Sequence, residues 1–178
     1  IKKPIDNIRS INMILSQLAK LDKSFSVLFT YANADESGAA INKQIESFVS
    51  HDPLRYHVVK SLGPQRYLSA VKTSDALVGN SSSGIIEAVS FNKPVVNIGD
   101  RQKGRLQSGN VVNCHPDEVK TAILKAISDP FLVQCNNSTN RYGGGKAADI
   151  IVSSLESLNL VVEKTFRDIN QHNVEQCA

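Results

Sequence analysis

The stretch Ala76-Leu77-Val78-Gly79-Asn80-Ser81-Ser82-Ser83-Gly84-Ile85-Ile86-Glu87-Ala88 decides how this chain is read. Ala76–Val78 is a short apolar run of the kind that forms a buried strand. Ile85, Ile86, Ala88, Val89 and Phe91 give the following segment, Ser83–Phe91, the apolar face of a helix. Small hydroxyl residues therefore stand at a strand-to-helix turn, where the first N–H groups of a helix are unpaired and its dipole favours an anion. Serine adds donors there without crowding a ligand, although serine is also simply a good N-cap. Glu87 is read one helical turn in, where its carboxylate either answers the dipole or reaches a neutral polyol such as a ribose.

Working outward, Lys93–Gly99 reads as the next strand, with Pro94 tolerated at its start. Directly after it, Asp100-Arg101-Gln102-Lys103-Gly104-Arg105 places three cations in one loop. A basic loop after one buried strand, beside a serine-rich turn after another, suits a phosphate site at the carboxyl ends of a parallel sheet. A solvated cationic loop is the plainer alternative.

The remaining pattern alternates in the same way. Helical spacing runs over Asp6–Leu21, Ala39–Val49, the segment carrying Tyr67, Leu68 and Val71, Asp117–Ile127 and Lys146–Leu158. Strands are read at Phe25–Tyr31, Arg55–Lys60 and Val111–Cys114, and residues 129–145, rich in Asn and Gly, read as loop. Strands alternating with helices imply right-handed crossovers, hence an α/β fold with a Rossmann-like parallel sheet covered by helices on both faces.

Composition narrows the function. The chain has 178 residues, 41% hydrophobic and 21% charged, as in a globular domain with a sizeable core. The formal net charge is only +3, with cations clustered at residues 101–105 alone, so a nucleic-acid partner is not expected. No apolar run approaches a membrane span and no signal peptide is visible, so a membrane partner is not expected either. Cys114, Cys135 and Cys177 are odd in number and widely spaced. That indicates neither zinc nor a disulfide framework, and the simplest setting is a reduced, cytoplasmic one. His51, His57, His115 and His172 lack metal-ligand spacing.

Two further motifs fail on inspection. Gly143-Gly144-Gly145-Lys146 lacks the spacing of a phosphate loop, and Ala147 follows the lysine. A serine hydrolase needs Gly-x-Ser-x-Gly, but the second glycine falls one position late around Ser81, and Asp100 or Asp117 with His115 or His172 make unpersuasive partners.

At this depth a resemblance becomes specific. Gly79–Ala88 together with Lys93–Arg105 resembles the signature of the UDP-N-acetylglucosamine 2-epimerase family, closest to its hydrolysing, N-acetylmannosamine-forming branch. The similarity extends back to Phe29–Asp35 and forward to Asn140–Ala147, in consistent order over most of the chain. It implies a GT-B-type enzyme with the active site between two Rossmann-like domains, of which this chain resembles the second. The expected organisation is a nucleotide-binding domain at 1–159, a tail or helix at 160–178, and a catalytic N-terminal domain outside this chain.

The resemblance also implies site roles. Ser81 and Ser82 would contact the diphosphate of UDP, Glu87 the ribose hydroxyls, and Arg101 the diphosphate. Asn33, which could equally be a turn asparagine, would lie near the nucleotide. Leu62, before Gly63-Pro64, belongs to the segment whose backbone would read uracil. Lys103 and Arg105 keep the reading of solvated cations. Gly143–Lys146 would cap the last helix. No cofactor and no metal are implied, the partner is a small-molecule UDP-sugar, and the full-length enzyme is expected to be a homo-oligomer. The implied reaction is anti elimination of UDP to a 2-acetamidoglucal, then syn addition of water, with the proton-moving carboxylates in the other domain. The alternatives are a non-hydrolysing 2-epimerase or another GT-B nucleotide-sugar enzyme and, in a different class, a nucleotide-binding module without catalysis.

Overall fold

Short, largely apolar runs of three or four residues bounded by turns set the strands. β1 (Val27–Thr30) pairs in parallel with β2 (Tyr56–Val59), Val27 opposite Tyr56 and Thr30 opposite Val59. β3 (Leu77–Gly79), β4 (Val95–Ile98) and β5 (Val111–Cys114) form a second parallel ladder with β4 at its centre, Val95 facing both Leu77 and Val111. The computed structural model describes residues 4–33 and 37–158. The chain divides into two units, Ile1–Tyr142 and Gly143–Ala178, each described by itself.

In the first unit, helices α1 (Pro4–Ala19), α2 (Gly38–Ser50), α3 (Gly63–Thr73), α4 (Ser82–Ile86) and α5 (Val119–Ala126) occur where the alternating pattern predicts helix, and α6 (Asp129–Asn136) follows α5 directly. All four residues of β4 are buried, as befits a parallel strand covered on both faces. Val96 and Ile98 join Leu18, Leu21, Val112, Val119, Ile123, Phe131 and Cys135 in one core cluster, while Val95 joins Val71 and Ala88 in another. The two-residue alternation of a strand thus sends successive β4 side chains into opposite layers. The expected parallel α/β architecture with helices on both faces is present, its strands divided between two ladders rather than one continuous sheet.

Two local expectations are corrected. Residues 129–136 are helical, not loop: Pro130 occupies the first turn, where its missing N–H has no intrahelical partner to lose, and Phe131 and Cys135 bury one face four residues apart. The helix expected over Ser83–Phe91 is instead the five-residue α4 followed by a 3-10 turn at Ala88–Phe91. Asn92 closes that turn in the left-handed region at φ 53°, which asparagine tolerates.

Gly84 fixes how closely α4 lies on β4. A Cβ there would stand 2.9 Å from Cγ1 of Val95, a β-branched side chain only 2% exposed. Val95 has no free rotamer into which to retreat. Gly84→Ala is therefore expected to destabilise the unit by about 1–3 kcal/mol of overpacking, outweighing the gain alanine brings to a helix. Urea unfolding checks this; an unchanged or raised midpoint would contradict the packing described.

The second unit's described element is α7 (Ala147–Ser157), preceded by Gly143 and Gly145 at φ 96° and 85°. The segment Glu163–Ala178 and the tail expected at 160–178 lie outside the described residues, as does Cys177.

Candidate functional site

β3 ends at Gly79, and Asn80 carries the chain into the serine turn. Ser81 is the N-cap of α4, with extended backbone at φ −74°, ψ 145°, and its hydroxyl accepts from the N–H of Ser83 at 3.4 Å. The N–H of Gly84 turns to the Ser81 carbonyl at 3.2 Å. Two early amides are thereby spent within the turn, and a helix of five residues has little dipole. The donors left for a ligand are chiefly hydroxyl: Ser81 Oγ–H, which accepts through its lone pairs and keeps its proton to give, and Ser82 Oγ–H. Ser81 is exposed and Ser82 half-buried.

Glu87 stands at the C-cap of α4, not in the first turn of a long helix, so no dipole match explains it. Its Oε2 accepts from the Ser83 hydroxyl, and Ser83 Oγ also meets the hydroxyl of Tyr67 from α3. The chain Tyr67–Ser83–Glu87 orients one carboxylate oxygen and leaves the other for a hydroxyl donor. Tyr67 joins the candidate site through this contact, although the sequence pattern assigns it only to the core.

The basic loop does meet the serine turn. Gly99, at φ 71°, bends the chain out of β4, and its N–H bonds the Cys114 carbonyl at 2.9 Å. Arg101 Nη1 then donates to the Asn80 carbonyl at 3.3 Å, and Gln102 Nε2 donates to the same oxygen at 2.8 Å. Gln102 is 3% exposed and is the anchor; Arg101 is exposed, with one of its five N–H donors engaged by a protein partner among the described residues. Lys103 and Arg105 are exposed.

Asn33 and Leu62 are not joined to the serine turn by hydrogen bonds among the described residues. Asn33 is exposed, three residues past β1. The path toward it is held from α2, where Asn42 Oδ1 accepts from the Ala32 N–H at 2.8 Å and Glu46 accepts from the Tyr31 hydroxyl. Leu62 is the N-cap of α3, the helix that carries Tyr67 to the turn.

A last strap closes the rear of the turn. Asn140 Nδ2 donates to the Ile86 carbonyl at 3.1 Å and to Ser90 Oγ at 2.8 Å, and Ser108 Oγ donates to the Thr139 carbonyl at 2.8 Å. Asn140 thus satisfies a carbonyl orphaned by the early end of α4. Cys114 and Cys135 are unbridged, and burial, with Glu118 and Asp117 adding repulsion, pushes the Cys114 thiol up to about 11, far from a reactive thiolate. Among the described residues no cluster of three or more His, Cys, Asp or Glu is placed to hold a metal ion, and no helix is long and apolar enough to cross a membrane.

Hydroxyl, carboxylate and guanidinium groups gathered just beyond adjacent parallel strands form a candidate site on a Rossmann-like α/β unit. The sequence model of the UDP-N-acetylglucosamine 2-epimerase family matches residues 3–156, and the chain belongs to that family. It is 39% identical over 161 residues to the GDP/UDP-N,N'-diacetylbacillosamine 2-epimerase (hydrolyzing) of Campylobacter jejuni, covering 88% of this chain and 42% of that protein. It is 33% identical to the UDP-N,N'-diacetylbacillosamine 2-epimerase (hydrolyzing) of Legionella pneumophila, covering 80% of this chain and 37% of that protein. It is 30% identical to a polysialic acid biosynthesis protein of Escherichia coli, over 94% and 42% of the two chains. A Listeria monocytogenes crystal structure assigned as a UDP-N-acetylglucosamine 2-epimerase superposes with a TM-score of 0.67 at 14% identity, over 87% of this chain and 41% of that one; it supports the fold. The chain therefore spans about two fifths of the length of these relatives.

Proposed function

We propose that this chain is the UDP-binding part of a hydrolysing UDP-sugar 2-epimerase, the second domain of a GT-B-type enzyme that releases UDP and a 2-epimerised N-acetylamino sugar. The observation that carries the reading is the meeting of the Arg101 loop with the serine turn on the Asn80 carbonyl, in a chain of this family. Ser81, Ser82 and Arg101 hold the diphosphate, Glu87 accepts from the ribose hydroxyls, Asn33 flanks the nucleotide, and the backbone at Leu62 reads the base. The domain's task is to answer the charge that develops on the departing UDP. The proton at C2 is moved by groups outside residues 1–178. The domain boundary at 159, cytoplasmic action and a homo-oligomeric whole enzyme belong to the same proposal.

The sugar is N-acetylglucosamine, giving N-acetylmannosamine, in the first reading. A second reading, a diacetylated amino sugar, draws on the names of the 39% and 33% identical relatives, against 23% for a Neisseria meningitidis UDP-N-acetylglucosamine 2-epimerase. Product release by the full-length enzyme from both UDP-sugars, with the GDP-linked diacetyl sugar as a third arm, tests the proposal; release of no free sugar from any of the three would refute it.

Glu87→Gln gives a sharper test of one role. It is expected to weaken UDP by the roughly 1.5–3 kcal/mol of a hydrogen bond to a charged group while leaving a 2',3'-dideoxy analogue nearly untouched. Calorimetric titration of both ligands decides it, and equal losses would remove Glu87 from the ribose.

A further inference from the structure

A phenylalanine would fill the place of the Tyr67 ring, which is half-buried and packs against the cluster of Val71, Ala88 and Val95. What the tyrosine adds is a hydroxyl, hydrogen-bonded to Ser83 Oγ. A serine hydroxyl has a single proton, and a carboxylate only accepts, so Ser83 gives its proton to Glu87 Oε2. Tyr67 is therefore the donor to Ser83, and the three groups run in one direction: the Tyr67 O–H to the Ser83 oxygen, the Ser83 O–H to the Glu87 carboxylate. A donor behind the serine polarises its O–H and strengthens the bond that it makes.

This relay ends on an exposed carboxylate. Among the described residues the Glu87 side chain is hydrogen-bonded to Ser83 alone, which leaves Oε1 as an acceptor. Satisfying a half-buried tyrosine hydroxyl takes one acceptor; here the line of donors continues past that acceptor to the surface. An exposed glutamate otherwise spreads over several rotamers. Holding it in one of them before a ligand arrives lessens the side-chain entropy lost on binding.

The helix that carries Tyr67 also sets a distance. α3 begins at Gly63, at φ 65°, directly after Leu62, and Tyr67 follows one turn later. Four residues rise about 6 Å along a helix axis, the scale of one nucleoside. One rigid element thus spaces the backbone proposed for the base from the hydroxyl that stands behind Glu87.

We propose, resting on the reading of Glu87 as the ribose acceptor, that Tyr67 is a positioning residue for ribose recognition. Acting through Ser83, it aims Glu87 at the vicinal hydroxyls of the ribose and so sets the preference for a ribonucleotide over its deoxy counterpart. Tyr67 itself does not touch the ligand.

Calorimetric titration of the full-length enzyme with UDP and with 2',3'-dideoxy-UDP tests this in Tyr67→Phe, Ser83→Ala and the double variant. Tyr67→Phe keeps the ring in its packing and removes only the donor. It is expected to weaken UDP by about three- to tenfold, the loss of one hydrogen bond, and to change the dideoxy ligand by less than about twofold. Ser83→Ala is expected to weaken UDP at least as much, again sparing the dideoxy ligand. The double variant is expected to lose no more than Ser83→Ala alone, because Tyr67 acts only through Ser83. Equal losses for both ligands in Tyr67→Phe would make the hydroxyl merely structural and overturn the proposal, as would no loss for either, or additive losses in the double variant. Glu87→Gln, run alongside, separates the two levels. A Glu87→Gln loss confined to UDP, with Tyr67→Phe failing its expectation, would overturn the relay and keep the ribose reading; equal Glu87→Gln losses for both ligands would overturn both.

Discussion

Arg101→Ala in the full-length enzyme is expected to lower kcat by about 10²–10³-fold, the loss that follows removal of one donor aimed at charge developing in a transition state. In the proposed reaction the leaving group is UDP, and negative charge grows on its diphosphate as the C1–O bond of the sugar breaks. Arg101 spends one N–H on the Asn80 carbonyl, which fixes the guanidinium beside the serine turn and, on the proposed reading, leaves other donors for the diphosphate. Lys103→Ala in the same loop is the control: the Lys103 side chain makes no hydrogen bond among the described residues, and its loss is expected to change kcat less than twofold, as for an exposed surface charge. Steady-state release of free sugar measures both. Equal effects of the two substitutions would return Arg101 to a solvated loop.

The 178-residue chain by itself is expected to release no free sugar from a UDP-sugar. Abstraction at C2 requires a base within hydrogen-bond reach of that proton. Within the serine turn, among the described residues, the carboxylate is Glu87, already oriented by Ser83 and proposed for the ribose. Hydroxyls and a guanidinium stabilise a departing diphosphate but do not take up a proton from carbon. Product release followed with the chain and with the full-length enzyme at equal concentration checks this. Turnover by the chain at a rate comparable to the whole enzyme would place the catalytic groups inside residues 1–178.

The parts of this architecture legible in the sequence are those governed by neighbours along the chain. Short apolar runs with flanking turns, read at Phe25–Tyr31, Ala76–Val78 and Lys93–Gly99, overlap the strands Val27–Thr30, Leu77–Gly79 and Val95–Ile98, and helical spacing gave α1, α2 and α7 to within a few residues. The α6 helix was hidden because Asn136, Asn137 and the glycines after it dominate its surroundings; Pro130 with Phe131 and Cys135 was the signal available. The early end of α4 was hidden too, since Gly84, needed for the approach to Val95, sits inside an otherwise helical pattern. Strand partners, and so the division into two ladders, are set by pairing at a distance.

The same distinction runs through the site. The serine turn and the Arg101 loop follow adjacent strands, and their proximity could be read from that order alone. Tyr67, Gln102 and Asn140 could not, because they act on groups 16, 22 and 54 residues away. Each fixes a group of the turn: Tyr67 meets the hydroxyl that orients Glu87, Gln102 holds the Asn80 carbonyl, and Asn140 secures the end of α4. Nothing in local periodicity distinguishes such residues from a core tyrosine or a loop amide.

The central claim is that the serine turn and the Arg101 loop together form a UDP site, and a UDP titration of the 178-residue chain followed by amide NMR tests it most directly. Saturable shifts are expected at Ser81, Ser82, Glu87 and Arg101, with smaller ones at Asn33 and Leu62, weaker binding of UMP than of UDP, and weaker binding still of uridine. Shifts absent from these residues at millimolar UDP, or equal affinity for uridine and UDP, would contradict it.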